Sequence, residues 1–423
     1  MMKRALLASL TAIAMAPAVA ADPATINWTK IPAATVPLFY PGQSSYEWLL
    51  SDKHPGAQGI QANLPCAGCH QGQEKKLGES LVKGGPLEPS PVKGKDATKE
   101  LKVQAAYDDK NAYLRFQWKT NANKPGIEYP YYRFDGKEWK VYGEPRLNKS
   151  VQEGKQVAMY EDRLTLMIDD GKVPGFDKQG CWLTCHTGER DMPNVAAKAD
   201  AQKVLKKNDV RKYLPASRTN PSDWTTVKSP DEIAKLKAEG GFVDLIQWRA
   251  HRSNPVGGVD DGYVLEYRNF DKGKNHFASN MDNEKKVPKF MYDAKKFKSK
   301  ATTAKDVGKR DPFLITGVNA VPFDPAAGWK EGDMVPRYYL QPAEGSAADN
   351  KGAGTWKGGM WTVVITRPLG LANPDDKAFK DGGVYSVGFA VHDDNITTRG
   401  HHVSFVKTLG FGAKADIQAV KLK

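Results

Sequence analysis

Four cysteines constrain this chain more than anything else in its 423 residues. They form two pairs, Cys66-Ala-Gly-Cys69 and Cys181-Trp-Leu-Thr-Cys185, and each pair is followed at once by a histidine, His70 and His186. No cysteine is left over for a structural bridge. Cys-x-x-Cys-His is the attachment pattern of c-type haem: two thiols add across the porphyrin vinyl groups, and the adjacent imidazole is held against the iron. A structural zinc site would need two further Cys or His ligands nearby, and a redox dithiol has no use for His70. The second pair has three residues between its cysteines, so it needs a bulged turn to bring both sulfurs to the vinyls, but its Cys-His step is intact. The sequence predicts two covalently bound haems c, at Cys66, Cys69 and His70 and at Cys181, Cys185 and His186.

The first 21 residues support that chemistry. Lys3 and Arg4 precede an apolar run from Ala5 to Ala16, followed by Pro17-Ala-Val-Ala20. This reads as a signal peptide cut after Ala20 or Ala21, with a core too short to span a bilayer. No later stretch approaches the roughly 20 apolar residues of a transmembrane helix. The expected location is the periplasm, where four cysteines would otherwise be read as disulfides. The formal net charge is +13, but the basic residues are spread from Lys30 to Lys423 without a dense run. Together with export this excludes nucleic acid as the expected partner and leaves a solvated basic surface that can steer an acidic redox protein.

Residues 22–95 are rich in Pro and Gly, with one short helix signal from Ser44 to Leu50 and a linker-like stretch over 83–94. They read as a small, loop-rich c-type haem module, since a segment so poor in apolar periodicity needs a staple and haem supplies one. From residue 96 the pattern alternates. Leu101–Tyr107 and Ala112–Trp118 predict a hairpin around Asp108-Asp-Lys-Asn111. Further strands are expected at Arg163–Ile168, Val243–His251, Gly262–Tyr267, Trp361–Thr366, Val384–His392 and His401–Leu409. Helix signals are few: a capping box at Ser229-Pro-Asp-Glu232, and Met192–Lys207. The chain is therefore expected to be mainly β, with a β-sandwich over 96–423 behind the module at 22–95.

Each iron calls for a sixth ligand. His54 is the other histidine of the N-terminal segment, which contains no Met, so His54 is the expected partner of His70. For the second haem the candidates are His401, His402, His392, Met192, Met167 and Met360. Side chains alternate along a strand, so only one of His401 and His402 can face a given pocket.

Several blocks of the β region resemble the ethylbenzene-dehydrogenase-related haem-binding family, which includes the γ subunits of molybdenum enzymes. They are Ala105-Ala-Tyr-Asp-Asp with Tyr113-Leu-Arg-Phe-Gln-Trp118, Glu161-Asp-Arg-Leu-Thr-Leu-Met167, Val243-Asp-Leu-Ile-Gln-Trp-Arg249, Trp361-Thr-Val-Val-Ile-Thr-Arg367, and Gly388-Phe-Ala-Val-His392 with His401-His-Val-Ser404-Phe. The resemblance implies a β-sandwich that holds one haem between loops at one end. In the γ subunits that haem is b-type, with Met and Lys ligands. Here Cys181–His186 stands where the Met would be and His401-His402 where the Lys would be. The resemblance thus implies a c-type variant with His186 proximal and His401 or His402 distal.

Two functional classes follow. Two six-coordinate haems would relay electrons between a quinol-oxidising cytochrome, such as a membrane-anchored multihaem cytochrome, and a periplasmic redox partner such as a reductase. Bis-His ligation would suit the low-potential side of anaerobic respiration, and close haems would dock residues 22–95 near His186. The alternative is a haem enzyme with one open iron acting on a small inorganic substrate or peroxide, with His251, Arg249, His392, Asp393 and Asp394 as its acid/base groups.

Overall fold

The computed structural model describes residues 22–192, 194–371, 373–396 and 400–422. The segment read as a signal peptide, residues 1–21, lies outside them. Thirteen strands form one sheet that is folded over on itself. One half runs Lys351–Lys357, Met360–Pro368, Asn111–Lys119, Thr98–Tyr107, Ala34–Phe39. The other runs His402–Val403, Val384–His392, Arg163–Asp169, Val243–Arg249, Gly262–Val264, Arg268–Phe270. Lys407–Phe411 and Ile417–Lys421 give a second link between Val384–His392 and Thr98–Tyr107. The halves meet across one core: Leu114, Phe116, Trp118 and Trp361 face Leu166, Ile246, Trp248 and Phe389. The Trp118 and Trp248 rings stand 6.0 Å apart, edge to face. This is the expected mainly-β sandwich.

Alternation decides which residues reach which space. On Arg163–Asp169, Leu164, Leu166 and Ile168 enter the sandwich core, while Arg163, Thr165 and Met167 face outward to a cavity. On Val243–Arg249, Ile246 and Trp248 point into the core and Leu245, Gln247 and Arg249 into the same cavity. The 101–118 hairpin forms as read, with Asp108 Oδ1 accepting the Lys110 and Asn111 N–H groups at 2.8 and 2.7 Å. The Ser229–Glu232 capping box opens the Pro230–Ala238 helix.

Other elements differ from expectation. Residues 22–95 are less loop-like than their composition suggests. Ala34–Phe39 adds a strand to the main sheet, and four helices follow at Tyr46–Leu50, Ala57–Gln61, Cys66–His70 and Glu74–Leu81. The first is the helix expected over Ser44–Leu50; the other three, of five to eight residues, are too short to show an apolar period in sequence. The expected strand at His401–Leu409 is two pieces, His402–Val403 and Lys407–Phe411. The helix read over 192–207 is confined to Lys198–Leu205. Small ribbons fill 273–345, and one of them, Phe277–Ser279 with Tyr338–Leu340, brings Phe277 and Tyr338 to the cavity.

Candidate functional site

The Cys66 motif lies on a one-turn helix, Cys66–His70, entered from Pro65 in extended conformation. Spacings of three and four put Cys66, Cys69 and His70 on one helix face. His54 reaches the same place from the turn after Tyr46–Leu50. Its Nδ1 lies 3.1 Å from the Leu49 carbonyl, which assigns the proton to Nδ1 and leaves the Nε2 lone pair to a ligand. The His54 and His70 ring centres are 6.2 Å apart. An imidazole bound at a usual metal–nitrogen distance has its centre about 3 Å from the ion, so the spacing admits one ion between two rings. His70 Nδ1 is buried without a hydrogen-bond partner. Burial and then the neighbouring His54 hold His70 below the usual imidazole range, so it offers a neutral ring. Burial also pushes the Cys66 thiol up to about 11, which makes it a poor thiolate for zinc or disulfide chemistry. The donor set fits a covalently attached haem that Cys66 and Cys69 would tether and His70 and His54 would ligate.

The second motif sits beside a cavity of about 800 Å³. Gly180, at φ +56°, starts the 3-10 turn Gly180–Thr184, and a Cβ there would come within 2.8 Å of Val406 Cγ2. This turn accommodates the extra residue between the cysteines. Cys181 lines the cavity, and Cys185 Sγ lies 2.9 Å from Nζ of Lys212, another lining residue. The apolar lining includes Met167, Leu245, Ala390 and Val403, while Arg163, Arg249, Arg252 and Arg268 supply positive charge. Arg249 and Arg252 are paired with Asp260 and Glu161. Nε of Arg163 and Nη1 of Arg268 are buried without a partner. Two unmet guanidinium donors in a half-apolar cavity fit a large ring that carries carboxylates. The Tyr160 hydroxyl lies 2.8 Å from Arg163 and 3.2 Å from both Arg249 and Arg252. Burial opposes its ionisation, but Arg163, Arg252 and Arg249 outweigh burial and bring it down to about 8.

The histidines divide by parity. His401 and His392 line the cavity, their rings stacked 5.0 Å apart. His402 pairs with the core-facing Val391 and points the other way, with Nε2 2.9 Å from the Asp96 carbonyl and Nδ1 3.4 Å from Lys95 Nζ. His186 is fully buried but is not among the cavity's described lining residues. Its Nδ1 is 2.6 Å from Glu47 Oε1, its Nε2 faces the Tyr213 and Leu183 carbonyls at 3.0 and 3.2 Å, and its ring stacks on Tyr213 at 3.7 Å. The structure thus brings Cys181 and His401 to one cavity and leaves His186 behind its wall. Of the other candidates, Met167 lines the cavity, Met192 is buried apart from it, and Met360 lies at a different groove beside Trp118. Of the acid/base set, Arg249 and His392 reach the cavity. His251 Nδ1 is committed to the Ile127 carbonyl at 2.9 Å, and Asp393 and Asp394 pair with Lys99 and Lys95.

The two motifs are packed together. Cys66, Cys181, Trp182, Phe39 and Phe405 belong to one apolar cluster. Phe405 lies parallel to His70 at 6.4 Å and 5.9 Å from Trp182. The N-terminal segment also grips the second motif directly. Tyr46 N–H donates to the Cys185 carbonyl at 2.7 Å, Glu47 Oε2 accepts the Thr187 N–H at 2.8 Å, and Trp182 Nε1–H reaches Ser44 Oγ at 3.0 Å. Glu47, Tyr160, Arg163 and Arg268 were not legible as site residues. The one signal for Arg163 was its place on the same strand face as Met167.

Fold and site together define a mainly-β protein with two Cys-His motifs on one apolar cluster, one of them against a cationic cavity. Residues 25–404 match the ethylbenzene dehydrogenase family, and the chain belongs to it. Over 99% of its length it is 28% identical to a cytochrome c-552 of Stutzerimonas stutzeri, which it covers entirely. Over 51% of its length it is 29% identical to a cytochrome c-551 of Rhodocyclus tenuis, covering 73% of that protein. Among the described residues no helix is long and apolar enough to cross a membrane.

Proposed function

We propose that the chain is an exported, periplasmic dihaem c-type cytochrome that relays electrons between a membrane quinol-oxidising cytochrome and a periplasmic redox protein. The observation that carries this reading is the shared apolar cluster, to which Cys66, Cys181, Trp182 and Phe405 all belong. Haem supplies an iron that takes up and returns one electron. The chain's own residues do the rest. Cys66, Cys69, Cys181 and Cys185 would tether the groups, and His70 and His54 would hold the iron at the first site. At the second site His401, which lines the cavity, would ligate, while Arg163 and Arg268 would neutralise carboxylates. His186 remains the proposed proximal ligand of the second haem, a role that would require its Nε2 to leave the Tyr213 and Leu183 carbonyls. Cytochrome names borne by relatives at 28% and 29% identity support the cofactor class.

A second reading rests on one observation: the cavity keeps His392, Arg249 and the Arg-flanked Tyr160 beside Cys181, so an open iron there would have acid/base groups for a small inorganic substrate or peroxide. Optical spectra separate the two. The relay predicts two low-spin haems whose spectra do not change with carbon monoxide or cyanide. Rapid binding of either at one haem would sink the relay and favour the enzyme.

A further inference from the structure

Away from both motifs lies a buried carboxylate cluster that the surrounding cations do not balance. Asp244 stands at the head of Val243–Arg249, Asp261 just before Gly262–Val264, and Asp271 just after Arg268–Phe270. Asp375 and Asp376 lie in the loop that follows Met360–Pro368. None of the five is more than 8% exposed. One oxygen each from Asp244, Asp261 and Asp376 lie within 4.8 Å of one another, and so do those of Asp271, Asp375 and Asp376. Arg367 answers part of this charge, with Nη2 2.5 Å from Asp244 Oδ2 and 3.1 Å from Asp376 Oδ1. The Lys377 ammonium is turned elsewhere, to Asp170 and the Gly240 carbonyl, each at 2.5 Å.

A second observation is independent of that clustering. Both Asp271 oxygens are shut off from solvent and accept no hydrogen bond, and Asp376 Oδ2 is in the same state. Asp375 is partly met, by Ser346 Oγ at 2.9 Å and the Lys272 N–H at 3.3 Å. Ionised carboxylates buried without donors or counter-charge are strongly disfavoured, and several side by side more so.

We propose that a calcium ion binds between Asp271, Asp375 and Asp376, with Asp376 bridging the ion and Arg367. Calcium takes oxygen ligands at roughly 2.3–2.6 Å, so oxygens facing each other across it stand about 5 Å apart at most. The 4.8 Å limit on this trio meets that condition. The set holds no imidazole or thiolate to favour a softer metal, and a buried all-carboxylate site suits calcium better than magnesium, which keeps its waters. The ion ties the Arg268–Phe270 edge to a loop of the opposite half-sheet. It thereby braces the far end of Val243–Arg249, whose other end carries Arg249 into the cavity.

The test uses the holoprotein. Its calcium content is measured by elemental analysis before and after dialysis against EGTA, and thermal unfolding is followed as Ca²⁺ or Mg²⁺ is returned. The expected result is one calcium per chain, a Tm raised by several degrees with Ca²⁺ and far less with Mg²⁺, and loss of both in Asp271→Asn and Asp375→Asn with unchanged haem spectra. A wild-type protein that takes up no calcium and whose Tm ignores Ca²⁺ would overturn the proposal, because the carboxylates would then be held protonated. A full calcium response retained in both variants would place the ion elsewhere and overturn it too.

Discussion

His54 shows how a single hydrogen bond selects a ligand atom. With Nδ1 on the Leu49 carbonyl, only Nε2 remains to face His70. His54→Ala should therefore turn the Cys66 haem high-spin and open it to carbon monoxide without altering the other haem. Unchanged spectra would remove His54 from the site. His401→Ala should perturb only the second haem and His402→Ala neither, since strand parity sends these neighbours to opposite sides. Asp162 carries a different kind of prediction. Burial pushes its carboxyl up to about 7, against the Trp361 indole N–H and Gly126 N–H bonds that favour the charged form. Between pH 4 and 7 the folded state then keeps a proton that the unfolded state has lost, so stability falls as pH rises through that window. Asp162→Asn should remove this slope, of the order of 4 kcal/mol at most. Denaturant titrations at pH 4.5 and 7.5 would show it, and parallel pH profiles for the two proteins would refute it. At this scale the convergence of His54 on His70 was expected: the cysteines and His70 were singled out by their spacing, His54 as the other histidine of a segment without Met. Arg163 and Glu47 were not, because an arginine on an alternating strand and a glutamate on a short helix look like surface residues until their neighbours are known.

At the scale of elements, tight approaches matter more than propensity. The Glu74–Leu81 helix rests Gly78 on the Ala97 backbone, where an added Cβ would meet the carbonyl oxygen at 2.1 Å. Gly78→Ala improves helix propensity by up to about 1 kcal/mol, yet it forces that helix off Ala97. The net effect should be a loss of stability, on the order of 1–3 kcal/mol, read as a lower denaturation midpoint. A stabilised variant would show that the approach is looser than described. The long strands of the sandwich were readable because half-buried strands alternate. The Tyr46–Leu50 helix was readable from its Ser44–Leu50 signal, but the short helices of residues 57–81 and the ribbons of 273–345 were not, since elements so short carry too little periodicity to read.

Across the whole molecule, the N-terminal segment is tied into the β region. It contributes the Ala34–Phe39 strand to the main sheet and seals the second motif through Ser44, Tyr46 and Glu47. Glu47→Ala leaves His186 Nδ1 and the Thr187 N–H without their acceptor, at a cost of roughly 1–3 kcal/mol. It should also slow electron exchange between the haems, measured by flash photolysis of the half-reduced protein. An unaltered rate would mean that the docking does not depend on this contact. The contact was not visible in sequence, although the need for the two motifs to lie together was. Whether one chain carries two haems can be read from the intact mass of the mature protein. The account predicts a chain beginning at Ala21 or Asp22 with two haem additions that persist under denaturation. A single addition would contradict it, leaving the Cys181 motif unused.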